Sequence, residues 1–180
     1  MMRSLLAIAF TMAVPVFAID LGVRGGLPFG DAFERIENRD VNVKGANQFV
    51  VGPTLELRLP MGFGASFDAL YRRYSFQTAQ GDQGAAQWEF PLMVRYRFPG
   101  IVVRPFVGAG PIFTKITGVT AVKNSQGMAL GAGLDISLAG KHLTPELRYS
   151  RRFQDVIVQT RYGSLQANAN QVDLMVGFTF

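Results

Sequence analysis

The final residues of the chain, 170–180, alternate without interruption: Val172, Leu174, Val176, Phe178 and Phe180 fall on one parity, and Gln171, Asp173, Met175, Gly177 and Thr179 on the other. A period of two sustained over that length predicts a β-strand with one apolar and one polar face. The period recurs upstream. Over 49–60, Phe49, Val51, Leu55, Leu57 and Leu59 oppose Thr54, Glu56 and Arg58; over 62–76, Phe63, Ala65, Phe67, Ala69 and Tyr71 oppose Gly64, Ser66, Asp68 and Arg72. Over 87–98, Trp88, Phe90, Leu92, Val94, Tyr96 and Phe98 oppose Gln87, Glu89, Arg95 and Arg97. Residues 128–138 set Met128, Leu130, Ala132, Leu134, Ile136 and Leu138 against Gly131, Gly133, Asp135 and Ser137. Residues 143–153 set Leu143, Pro145, Leu147 and Tyr149 against Thr144, Glu146, Arg148, Ser150 and Arg152. Two less regular stretches, 19–29 and 101–114, carry Asp20, Arg24 and Arg104 on their polar side and bring the predicted strands to eight.

Connections alternate as well. Pro60-Met61-Gly62, Pro99-Gly100 and Ala139-Gly140-Lys141-His142 are short turn sequences, whereas 30–46, 77–86, 115–126 and 154–169 are long and polar. Alternating short and long connections predict an up-and-down antiparallel meander with one plain and one elaborated end. An even number of such strands can close on itself and leave no free edge.

Closure leaves one question, which face is inside. A soluble calycin-like barrel with a small-ligand pocket turns its apolar parity inward; a transmembrane barrel turns it outward to lipid. The polar parity carries seven acids (Asp20, Glu56, Asp68, Glu89, Asp135, Glu146, Asp173), eight arginines (Arg24, Arg58, Arg72, Arg95, Arg97, Arg104, Arg148, Arg152) and no lysine. All four lysines, Lys44, Lys115, Lys123 and Lys141, fall in or beside connections. A solvent-washed face has no reason to exclude lysine, but a narrow lumen favours the planar guanidinium fork, which pairs bidentately with carboxylates. Trp88, Tyr71, Tyr96 and Tyr149 stand toward strand ends on the apolar parity, as an interfacial aromatic girdle requires. The reading is therefore an all-β, eight-stranded antiparallel up-and-down transmembrane β-barrel with a closed, ion-paired lumen. Arg73 and Arg151 alone break the apolar rule of the outward parity.

Composition adds an address and several exclusions. Residues 1–18, MMRSLLAIAFTMAVPVFA, have a basic start at Arg3, an apolar run and small residues at a cleavage position, which predicts a cleaved signal peptide before a barrel domain at 19–180. Zero Cys excludes disulfide scaffolds and thiolate metal sites, and a single His leaves little imidazole chemistry, so neither metal nor cofactor is expected. The formal charge of +5 and a pI near 9.9 suggest nucleic acid at first sight. Without Arg3 it is +4, and the lumen holds fifteen of the thirty-one charged residues at a net of +1, so the basic surface is too thin for that partner.

His142 and Thr144 echo the His and Ser, two apart, of small barrel enzymes that deacylate lipid A. The nucleophile type and a short-turn location depart from that pattern, no enzyme is expected, and His142 reads as a solvated turn residue. Glu56 and Glu146 lie beside arginines and read as members of an ion network, not a catalytic acid pair. Gly108-Ala109-Gly110 is no dinucleotide fingerprint, since Phe113 takes the third glycine's place. With its echo Gly131-Ala132-Gly133 it suggests small inward positions that make room for arginines from across the lumen, or local curvature.

The stretch Val172 to Phe180 resembles the C-terminal signal, here Val172, Leu174, Val176, Phe178 and Phe180, that bacterial outer-membrane barrels present to their assembly machinery. Arg104-Pro105-Phe106-Val107-Gly108-Ala109-Gly110 and Pro145-Glu146-Leu147-Arg148-Tyr149-Ser150 are similar to strand motifs of the small OmpA/OmpX-like barrel-domain family. The resemblance implies insertion into the outer membrane of a Gram-negative-type envelope, short periplasmic turns, long extracellular loops and a lumen plugged by side chains. Expected partners are outer-membrane lipids, lipopolysaccharide met by Arg73 and Arg151, and the assembly machinery, for a monomer acting in membrane structure or surface interaction through its loops. A small diffusion pore and the soluble ligand-binding barrel stand as alternatives.

Overall fold

The computed structural model describes residues 18–29, 33–34, 49–78, 81–117, 125–153, 157–160, 163–167 and 170–180. The expected signal peptide up to Phe17 lies outside the described residues, as do Lys44, Lys123 and most of 30–46; Ala18 opens the first strand.

Eight antiparallel strands form the barrel: β1 (Ala18–Pro28), β2 (Val50–Arg58), β3 (Phe63–Asp68 continuing as Leu70–Thr78), β4 (Gly81–Arg97), β5 (Val103–Thr117), β6 (Ser125–Leu138), β7 (Lys141–Arg152) and β8 (Asn170–Thr179). Each pairs with its sequence neighbour, and β1 pairs with β8 from Gly22 opposite Thr179 to Pro28 opposite Asp173, which closes the sheet. The break in β3 has a cause in its neighbours. Ala69 N–H donates to the carbonyl of Pro53 at 3.0 Å, Pro91 faces this stretch from β4, and neither proline has an N–H to return to the ladder.

The turns at one end are tight. Leu138 pairs with Lys141 across Ala139 and Gly140, whose φ values of 49° and 82° match the two-residue hairpin turn that fits strand twist. Pro60–Gly62 forms a 3-10 turn with Met61 and Gly62 at positive φ. The third connection is wider than Pro99-Gly100, running from Phe98 to Val102 with Phe98 N–H bound to the carbonyl of Pro105.

The opposite end departs from the expected loops. Residues 77–86 are not a polar loop: β3 and β4 continue as a hairpin, with Tyr74 opposite Ala85 and Thr78 opposite Gly81. Strands also enter 115–126, as far as Thr117 on one side and from Ser125 on the other. Within 154–169, Ile157–Thr160 pairs with Gly163–Ala167, which pairs in turn with Phe33–Glu34 in a separate three-stranded sheet. Residues 77–86 hold no large apolar residue, so they lack the apolar alternation by which the barrel strands are read, yet a hairpin needs only ladder bonds to an existing strand pair.

The apolar parity faces outward. Leu21, Val23, Leu55, Phe67, Leu92, Val94, Val107, Leu130, Leu147, Leu174 and Val176 are exposed around the barrel, while the charged parity is enclosed. An apolar surface of that extent has no place in water, and this overturns the soluble ligand-binding alternative. Rings border the band at both ends. Tyr71 and Trp88 meet at 5.1 Å toward the loop end, and Tyr96 contacts both Phe63 and Phe98 at 5.1 Å toward the turn end. From Trp88 to Phe98 along β4, ten steps of about 3.3 Å at a tilt of about 40° rise about 25 Å, the height of the apolar band on an outer-membrane barrel.

Candidate functional site

Alternation dictates what fills the lumen: every second residue of each strand points in, and in this sequence those residues are mostly arginines, carboxylates, amides, hydroxyls and glycines, with a few apolar side chains among them. The structure places all fifteen charged residues of the polar parity there, most of them fully buried and stacked in three layers.

The middle layer is built on Glu56, Glu146 and Asp68. Arg24 reaches Glu56 Oε1 at 2.8 Å, Glu146 Oε2, and Asp68 at 3.3 Å. Arg95 bridges the same two glutamates, with Nη1 at 2.7 Å from Glu56 and Nη2 at 2.6 Å from Glu146. Arg148 joins Glu146 at 2.8 Å to Asp68 at 2.9 Å, and Thr54 donates to Asp68 at 2.6 Å. Glu56 and Glu146 are thus two acceptors tied by shared arginines. Arg95 also lies 4.8 Å from the ring centroid of Phe106, so its remaining face meets a π surface.

The layer at the turn end centres on Asp135, which accepts from Arg58 at 2.8 Å and from His142 Nδ1 at 2.7 Å, with Arg97 Nε ion-paired to it at 2.9 Å. Arg58 also holds Asp20, and Arg97 reaches Glu56 at 2.7 Å, which links this layer to the middle one. His142 is therefore not the solvated turn residue that its position suggested. It shares parity with Thr144 and Glu146, and that parity turns it into the mouth of the lumen. Ser137 Oγ lies 3.4 Å from the same Nδ1 that faces Asp135. One nitrogen serving both groups does not form the serine, imidazole and acid relay, in which opposite ring nitrogens are used.

The third layer, at the loop end, pairs Arg72 with Asp173 at 2.9 Å and Arg152 with Glu89 at 3.6 Å. Gln171 donates to Asp173 at 2.8 Å and accepts from Arg152 at 3.1 Å, while Gln87 donates to Glu89. Val50, Leu70 and Met175 form a buried apolar cluster at the step from the middle layer, Leu70 standing between Asp68 and Arg72 on β3. These apolar lumen residues, with Met93, Phe106, Ile112 and Ala129, were not singled out by chemistry. Their parity, shared with the charged residues, is the signal that finds them.

The glycine echo resolves into close approach. A Cβ on Gly131 would lie 2.6 Å from Glu146 Oε1, and one on Gly133 would lie 2.2 Å from the carbonyl of Pro145. A Cβ on Gly108 would meet Arg95, its register partner, at 3.0 Å. Room is made for side chains and backbone of the next strand, not for arginines from across the lumen.

Arg73 and Arg151 are exposed on the outer face near the loop end, and Val172, Leu174, Val176, Phe178 and Phe180 line the outer face of β8 and its end. Among the described residues no lysine enters the lumen; Lys141 lies at the turn end with its Nζ 5.8 Å from the ring of Phe178. No group of His, Asp or Glu among the described residues is placed to hold a metal ion.

The comparisons agree with this geometry. A family model for the outer membrane protein beta-barrel domain matches residues 4–180. Among curated proteins none matches the chain in sequence. Similar solved structures include the Neisserial surface protein A (13% identity, TM-score 0.56, covering 91% of this chain and 95% of that one). The outer membrane protein AlkL, solved in lipid bilayers, is similar at 15% identity and TM-score 0.55, with 100% of this chain and 97% of that one covered. OprG of Pseudomonas aeruginosa is similar at 13% identity and TM-score 0.54, with 91% and 95% covered. At such identities the likeness concerns the fold, and the family model supplies the membership. An inside-out barrel of eight strands, a lumen of ion pairs and a family match across the chain lead to one conclusion: the protein belongs to the outer membrane protein beta-barrel domain family and is an integral outer-membrane protein.

Proposed function

We propose that the protein is a plugged, non-conducting barrel that acts in outer-membrane structure or surface interaction through the segments at its loop end. The observation that carries this reading is that the lumen is filled at every level: the joined network of Asp20, Arg58, Glu56, Arg24 and Glu146 from one mouth to the middle, then the apolar step of Val50, Leu70 and Met175, then Arg72 with Asp173 near the other mouth. An eight-stranded barrel has an interior that side chains just fill, and the guanidinium groups of Arg24, Arg58, Arg95, Arg97 and Arg148, held by two or three carboxylates each, do not move aside for a solute. The protein is a monomer in this reading, with no catalytic activity, and β8 presents its apolar face to the assembly machinery. Arg73 and Arg151, exposed at the level of the Tyr71, Trp88 and Tyr149 girdle, are suited to the phosphates of lipopolysaccharide.

Purified protein in planar bilayers tests the reading. The expected trace is flat, without steady unitary steps, and reproducible steps would instead favour the small-pore alternative.

A further inference from the structure

The eight lumen arginines exceed the seven lumen acids by one. The structure identifies the surplus as Arg104, near the start of β5. Arg104 sits opposite Asp135 in the ladder, but Asp135 is already occupied by Arg58, Arg97 and His142. The Nη2 of Arg104 donates to Ser137 Oγ at 3.1 Å, its Nε is buried without an acceptor, and no carboxylate among the described residues pairs with it. The side chain lines a cavity of about 400 Å³ at the periplasmic mouth, together with Arg58, Arg97, Tyr96, Phe98 and Met61. Arg58 Nη2 is also buried without a hydrogen bond, 3.6 Å from Glu56. The charged side chains lining this space are Arg58, Arg97 and Arg104; Asp20 and Asp135 pair with Arg58, Asp135 also with Arg97 and His142, and Arg104 adds a positive charge that no carboxylate among the described residues offsets.

We propose that this cavity binds a phosphate group, with Arg104 as its principal donor. The Arg104 guanidinium, which no carboxylate among the described residues holds, has donors left to offer phosphate oxygens, and Arg58 and Arg97 line the same space and add positive potential around an anion. Two sources share this chemistry: the headgroup of a phospholipid in the periplasmic leaflet, and a soluble phosphate ester in the periplasm.

Isothermal titration of the full barrel in maltoside micelles separates them, using phosphatidylglycerol in one arm and inorganic phosphate with glycerol phosphate in the other. Saturable binding of the lipid alone assigns the site to the membrane leaflet, and binding of the soluble probes assigns it to soluble esters. In either arm Arg104→Gln weakens binding about tenfold or more, and Arg104→Lys, which keeps the charge and loses the fork, falls between. Heat-dependent gel migration checks that each variant folds. Should Arg104→Gln not fold, the Arg104 Nε–H resonance of the unaltered protein replaces it and is expected to shift on addition of the bound probe. No saturable binding in either arm, binding unchanged by Arg104→Gln, or an Arg104 resonance indifferent to the probes would overturn the proposal.

Discussion

Glu56 shows how little freedom a single lumen residue has. It is fully buried and receives Arg24, Arg95 and Arg97 within 2.8 Å, with Arg58 at 3.6 Å. Glu56→Gln removes the charge and leaves a surplus cation in an enclosed space, so we expect a loss of about 3–5 kcal/mol, read from urea unfolding of the reconstituted barrel. Glu89→Gln is the internal comparison. Its arginine partner is 3.6 Å away and also bonded to Gln171, and about 1 kcal/mol is expected. Equal losses for the two would refute a stability centred on the middle layer. The fifteen charged residues were legible as a set in the sequence, because arginine without lysine on one parity is a chemical signature. Which carboxylate serves which arginine was not, since partners such as Arg24 and Glu146 are 122 residues apart and meet only when the sheet closes. His142 was misread for the opposite reason: a turn position suggested solvent, while its parity, the better guide, pointed to Asp135.

At the scale of elements, alternation located the eight strands, and proline and glycine located the tight turns. Residues 77–86 escaped this reading because small and polar residues carry no periodic contrast, although the strand pairing there extends to Thr78 opposite Gly81. One turn holds a correctable strain. Ala139 adopts φ 49°, a region where a Cβ crowds the following carbonyl and which Asn tolerates better. Ala139→Asn creates the Asn-Gly pair favoured in this turn and is expected to stabilise the barrel by about 0.5–1 kcal/mol. Gly140→Ala, at φ 82°, is expected to destabilise it. Both are measured as shifts of the urea midpoint, and opposite signs would show that the turn is not limited by these angles.

For the whole molecule the solvent decides the arrangement. The outward coat of Leu, Val and Phe stabilises the barrel only against hydrocarbon, and the two exposed arginines at its loop-end rim meet whichever headgroups lie there. Replacing Arg73 and Arg151 together with Gln is expected to lower the melting temperature in lipopolysaccharide-containing membranes and leave it unchanged in plain detergent. Equal loss in both media would reduce the pair to side chains that merely snorkel to the interface.

From the sequence alone came the class, the strand number, the parity of each face and the identity of the charged set, because a two-residue repeat is a local property that the backbone imposes on every strand. The tertiary structure decided what locality cannot reach. It set the register that brings Glu56 and Glu146 to the same arginines, the extension of β3 and β4 into a polar hairpin, and the placement of Arg104 beside an already occupied Asp135. Closure of the sheet brings distant side chains into one confined volume, and there the count of charges leaves one arginine, Arg104, without a carboxylate partner among the described residues.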